Sequence, residues 1–388
     1  MPDAAFDILQ TELSRGGPDA VLARAVEICR HEKKYHELFE ALKMQVRRKL
    51  GIAVGSPDPG DSLSETQRTE LENGLIAACR EVGTLLLQAG KVREGWMYLR
   101  PVGDKAEAAR LLDAVQPSED NTEELIEVLL HEGIDIGRGF GLVLDSYGTC
   151  SSITTYDQAI ARRPRKEQEP AAQRLLRRVH CDLVASVKTD IQRQEGAPPK
   201  ESSLRDLIID REWLFQENSY HLDTTHLAST TRIARAVSQP DDLRLALDLT
   251  EYGRRLSAQF QYAGDEPFTD TYPSHAFFYQ ALLGENVTEA LAYFQQKAEL
   301  LDPLHHTLIA VETYVDLLAR MGRYREALDA AIHLSRPDAQ PVGLAPSLIE
   351  LAAKAGDYTT FLTHCRERGD ILGFAAGLVS ASAPAKGI

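Results

Sequence analysis

Two histidines and an aspartate crowd the stretch HLDTTHL at residues 221–227. Imidazole and carboxylate are zinc ligands, and three of them with an open fourth position make a catalytic metal site. The spacing works against a zinc helix. On one continuous helix His221 and His226 would diverge by about 140°, and the glutamate that separates the two histidines of an HExxH helix is missing. If Asp223 is instead an N-cap, its carboxylate accepts from the N–H of Thr225 or His226 and THLASTTRIARAV continues as the helix, with His221 outside it. The segment FTDTYPSHAFFYQALL opens in the same way, with Asp270, Thr271 and Pro273 ahead of His275. Stacked helix starts would bring His226 and His275 side by side, near Tyr220, His221 and Asp223. Those residues form a candidate polar pocket.

A second chemical signal surrounds Cys150 in SYGTCSSITTYDQA. A nucleophilic cysteine needs its pKa lowered by a helix N-terminus or a base. TCSSITT can supply the former, with Thr149 or Ser151 as the cap, but no base is local in sequence. Gly137, Gly139 and Gly141 in GIDIGRGFGLVL lack the preceding strand and the third glycine spacing of a dinucleotide fingerprint. Gly139 is expected to be a small residue at a close helix contact. No cofactor motif is present, and no metal set beyond the histidine pocket. His305 and His306 open another expected helix, and Trp96 and Trp213 read as core or junction residues.

The elements that must hold these residues are helices. Apolar residues recur at helical spacing, as with Leu348, Leu351, Ala352 and Ala355 in SLIELAAKAG. Breaks fall at 52–66, at RRPRKEQEP, at RQEGAPPKESS and in the terminal SASAPAKGI. They divide the chain into helical pairs over 1–117, an irregular helical region over 118–200, a repeat region over 201–380 and a tail over 381–388.

Within this pattern a unit repeats. VDLLARMGRYREALDAA runs to Gly322, turns, and resumes at Tyr324 with Ala327 and Leu328; Tyr358 follows Tyr324 by 34 residues, with Gly356 and Phe361 in matching places. Weaker copies carry Gly284, Val287, Ala290 and Leu291, then Gly90, Val92 and Gly95, with Tyr35 and Leu38 in the junction role of the first pair. The turns GRYREAL and GDYTTFL resemble the tetratricopeptide repeat, over roughly residues 272–370. The resemblance implies an all-α, irregular right-handed solenoid whose first helices line a concave face. By the same register Glu312, Asp316, Arg320, Glu350 and Lys354 occupy groove-facing positions.

The composition narrows the partners. A formal charge of −15 opposes nucleic-acid and anionic-membrane binding and favours a partner of basic charge. The basic run at 162–178, with Arg163 and Arg165 among its seven cations, reads as a solvated helix face. Five dispersed cysteines without a CxxC pair fit a reducing cytoplasm, and the acidic N-terminus does not resemble a secretory signal. The expected function is a cytoplasmic, non-enzymatic scaffold that binds a protein or peptide on its concave face. The alternatives are an enzyme or small-ligand protein built around Cys150 and the 220–226 segment, and a structural subunit of a larger complex.

Overall fold

The computed structural model describes residues 3–55, 63–300, 308–334 and 343–382. The helix expected to open at His305 and His306 lies outside the described residues, as do 383–388 of the expected tail. The fold is all-α, and among the described residues there is no strand. Two compact units divide it, Met1–Leu142 and Val143–Ile388.

Unit 1 holds α1 (Asp3–His31), α2 (Tyr35–Lys49), α3 (Glu65–Gln88), α4 (Val92–Leu99), α5 (Lys105–Asp113), α6 (Thr122–Ile126) and the start of α7 (Ile136–Thr155). Sequential helices pack as neighbours, α1 on α2, α2 on α3 and α3 on α4. A wider π-type turn over Glu127–His131 extends α6. Val26, Leu38, Val82 and Leu86 form one apolar cluster. Leu87, Val92, Leu112, Leu125 and Leu129 form another, against which Trp96 packs.

Gly139 in α7 marks how closely two of these elements approach. A Cβ there would stand 2.7 Å from the backbone nitrogen of Leu130 and 3.0 Å from the Cβ of Leu129, so the glycine serves packing and not a phosphate loop. Because the obstruction is backbone, it cannot swing aside. Gly139→Val is expected to cost about 1–3 kcal/mol in urea denaturation; an unchanged midpoint would show that the contact yields easily.

Unit 2 continues α7 and adds α8 (Arg165–Glu195), α9 (Leu204–Ile208), α10 (Thr224–Ile233), α11 (Pro240–Arg255), α12 (Thr271–Leu283), α13 (Val287–Glu299), α14 (Ile309–Arg320), α15 (Tyr324–Leu334), α16 (Leu348–Ala355), α17 (Tyr358–Arg368) and α18 (Ile371–Ser382). Along α8 the buried residues Leu175, Val179, Leu183, Val187 and Ile191 recur every fourth position, giving one apolar stripe that packs on α10 and α11. Pairs then follow in order: α11 with α12, α13 with α14, α14 with α15, α16 with α17.

The junction residues read from sequence are helix starts. Tyr35, Val92, Val287, Tyr324 and Tyr358 are each the first residue of a helix. Gly322 ends α14 with φ of 76°, and Gly90, Gly284 and Gly356 repeat that left-handed geometry, which costs a glycine no Cβ clash. The helices are thus arranged in neighbouring pairs compatible with a helical repeat. On α18, Ile371, Leu372 and Val379 are exposed by 79%, 83% and 70%, so that helix turns an apolar face outward. No helix among the described residues is long and apolar enough to cross a membrane.

Candidate functional site

Asp223 is the N-cap of α10, its Oδ1 accepting from the N–H of Thr225 at 2.9 Å and of His226 at 3.1 Å. The Thr225 hydroxyl donates to the same oxygen at 2.6 Å, and these bonds hold the carboxyl below the usual aspartate range. His221 lies outside the helix. Its Nδ1 is 2.9 Å from the Tyr252 hydroxyl and its Nε2 is 3.2 Å from Asp190 Oδ2. Both ring nitrogens are therefore engaged, and the imidazole is held as a link between α8 and α11. Tyr220, His221 and Asp223 do line one hollow of 730 Å³ with Asp190 and Arg193. Cys150, His226 and His275 are not part of it.

His275 turns into the core instead. It is 2% exposed, its Nδ1 donates to the Thr271 carbonyl at 2.6 Å, and its ring stacks on Phe268 at 4.2 Å between centroids. Nε2 is buried without a partner. Burial and the nearby guanidinium of Arg235 push its pKa far below the usual histidine value. Asp270 occupies the N-cap position of α12 without a side-chain cap bond, the Ser274 hydroxyl donating to its carbonyl at 2.5 Å. Cys150 is exposed on α7, just past Gly148, where the helix breaks with φ of 76°. Among the described residues no group of three or more His, Cys, Asp and Glu side chains could hold a metal ion.

A different site is built where α8, α10, α12 and α14 meet. A cavity of 140 Å³ is lined by four arginines, Arg163, Arg165, Arg232 and Arg235, and by one carboxylate, Asp316. Tyr156 and Phe278 supply aromatic wall, and the Tyr156 hydroxyl donates to Gln168 Oε1 at 2.8 Å. Asp316 lies 3.4 Å from Arg165 and 3.8 Å from Arg320, and Arg232 makes a two-oxygen contact with Asp157 at 2.9 Å. Arg163 is 3.3 Å from Glu167. Arg235 differs. Its Nε donates to the Arg232 carbonyl at 3.1 Å and its guanidinium lies 4.6 Å from the Phe268 ring centroid, but among the described residues no carboxylate pairs with it. Burial lowers its pKa, since the charged form has lost water.

The stripe Glu312, Asp316 and Arg320 does share one face of α14, and that face is buried. Glu312 is 7% exposed and accepts from the N–H of Leu344 at 2.6 Å. The Arg320 side chain, 5% exposed, donates from Nη1 to the Arg235 carbonyl at 2.6 Å and from Nη2 to the Val237 carbonyl. Desolvation raises the pKa of Asp316 and lowers that of Arg320 to about 10. Arg320, Glu350 and Lys354 nonetheless line a common hollow of 440 Å³, with Tyr324 and Leu282. In it Glu350 is also the N3 residue of a capping box, its carboxylate accepting from Ser347 N–H at 2.8 Å.

Sequence reading passed over Arg232, Arg235, Tyr156 and Phe278. The available signal was in TTRIARAV, where two arginines three apart interrupt a helix end whose Ile233, Ala234, Ala236 and Val237 are all buried. In the basic run, Arg162, Arg165, Lys166, Arg174, Arg177 and Arg178 are solvent-exposed, as the solvated-face reading expects, but Arg165 and the half-buried Arg163 also line the cavity. The fold and site define an all-α protein of paired helices with an arginine-lined cavity in its second unit. No family model, curated protein or solved structure matches the chain.

Proposed function

We propose that unit 2 is a tetratricopeptide-like helical-repeat module that binds an extended peptide or protein segment, without catalysing a reaction on it. The observation that carries this reading is the 440 Å³ hollow. It is lined by α12, α14 and α16, alternate helices of the series, through Leu282, Arg320 and Lys354. Apolar Leu243, Leu282 and Leu351 floor it, and the charged ends of Glu350 and Lys354 stand at its edge. An apolar floor with charges at the rim suits a segment held by shape and oriented by charge. The chain's net charge of −15 favours a segment with basic residues.

Enzyme chemistry has less behind it. His221 is occupied at both nitrogens, and His275 is enclosed. The test is a display library of random peptides selected on the intact protein. Lys354→Glu is expected to weaken the selected peptides at least tenfold, about 1.4 kcal/mol, measured by fluorescence anisotropy. Arg193→Glu, which alters the 730 Å³ hollow, is expected to leave them unchanged. Equal binding by wild type and Lys354→Glu would remove the groove from the proposal.

A further inference from the structure

The arginine-lined cavity calls for a ligand of its own. A guanidinium taken out of water is costly unless an anion replaces the lost hydration, so buried arginines are ordinarily paired. Arg163, Arg165 and Arg232 each have a carboxylate in reach, at 3.3, 3.4 and 2.9 Å. Among the described residues Arg235, which is half-buried, has the Arg232 carbonyl for its Nε and the face of Phe268 but no carboxylate, and its side chain lines the cavity. Cation–π contact offsets about 2 kcal/mol at a desolvated site, well short of an ion pair's replacement of water.

The arrangement selects among anions. Arg163 and Arg165 come from the entry to α8, Arg232 from the last turn of α10, and Arg235 from the short turn after it. Donors thus converge from separate segments and not from one plane. A planar carboxylate satisfies one guanidinium fork, whereas a phosphoryl group presents three acceptor oxygens in different directions and close to two negative charges at neutral pH. At 140 Å³ the cavity is below the roughly 300–1,000 Å³ of whole-ligand pockets, so it admits one charged group while the rest of the ligand stays outside.

We propose that this cavity is a binding site for the phosphoryl group of a phosphate monoester, with Arg235 as the central donor and Arg232, Arg163 and Arg165 around it. Asp316 limits the site to a single anion: it already engages Arg165 and Arg320, and its own oxygens repel a second one. The proposal does not depend on the peptide groove, which shares only Arg165 with it.

The experiment titrates the full chain with inorganic phosphate, with a phosphoserine peptide and with the same peptide unphosphorylated, by calorimetry at constant ionic strength, with acetate as the reference anion. Phosphate or the phosphopeptide is expected to bind at least tenfold more tightly than acetate. Free phosphate matching the phosphopeptide identifies a small phosphorylated molecule as the source; a tighter phosphopeptide identifies a phosphorylated protein. Arg235→Met keeps the side-chain length and removes the charge, and is expected to weaken binding at least tenfold while the fold, followed by circular dichroism, persists. Arg232→Met provides a second variant should Arg235→Met fail to fold, with a similar loss expected. Affinity for phosphate and phosphopeptide no better than for acetate, or unchanged in both variants, overturns the proposal.

Discussion

Arg320→Ala is expected to destabilise unit 2 by about 3–5 kcal/mol, lowering its Tm by roughly 10 °C. Three losses coincide. The carbonyls of Arg235 and Val237 lose their donor, Asp316 is left with Arg165 as its one ion-pair partner among the described residues, and the guanidinium no longer lies 5.4 Å from the centroid of Phe278. The two partners titrate as a pair whose desolvation outweighs its attraction: the carboxyl is pushed up and the guanidinium down to about 10. Asp316→Asn is accordingly expected to cost much less than Arg320→Ala, because Arg320 retains both carbonyl acceptors. Thermal unfolding followed by circular dichroism reads both. A loss below about 1 kcal/mol for Arg320→Ala, the worth of a single ordinary hydrogen bond, would show that α14 does not depend on this link.

Acid should destabilise the protein through His275. Its folded pKa lies far below the usual value, through burial first and then the charge of Arg235, with Arg232 adding to it and Thr271 opposing by accepting from Nδ1. Phe268 and Tyr279 cover the ring and supply no negative charge. In the unfolded chain the imidazole takes a proton near pH 6.5, so below that pH the unfolded state binds more protons and stability falls as pH falls. The loss grows as pH falls below that value, by at most about 1.4 kcal/mol per pH unit for a single group. Asp316 contributes with opposite sign. Its raised folded pKa favours the folded state at low pH, a stability lost as pH rises through that value. His275→Phe removes only the first effect, so the difference between wild type and variant isolates it. Urea midpoints at pH 7.5 and 5 are expected to converge for the variant and to separate for wild type; parallel behaviour would mean that His275 titrates normally.

Both outcomes concern residues whose types were visible in the sequence and whose surroundings were not. Helical periodicity, the turn glycines and the cap at Asp223 were legible because each depends on neighbours within about four residues: a left-handed turn needs Gly322, and a carboxylate two or three positions ahead of free N–H groups caps them. Close approach at Gly139 was legible for a related reason, since repeated units place small residues at the same contact. The register of α14 was correct as well, putting Glu312, Asp316 and Arg320 on one face.

The sequence by itself determined that this is a chain of paired helices, where several of them start, at Tyr35, Val92, Thr224, Val287, Tyr324 and Tyr358, and that Gly139 is small enough for a close contact. Only the tertiary structure decided which face of α14 meets water, because that depends on Leu344, Arg235 and Val237, residues 32 to 85 positions from their α14 partners that accept or donate across the packing. It also decided that His221 is a linked structural imidazole, that His275 is enclosed, and that Arg235 lines a cavity while pairing with no carboxylate among the described residues. Burial and pairing are properties of surfaces brought together from distant parts of the chain, and local spacing carries no record of what arrives on the other side.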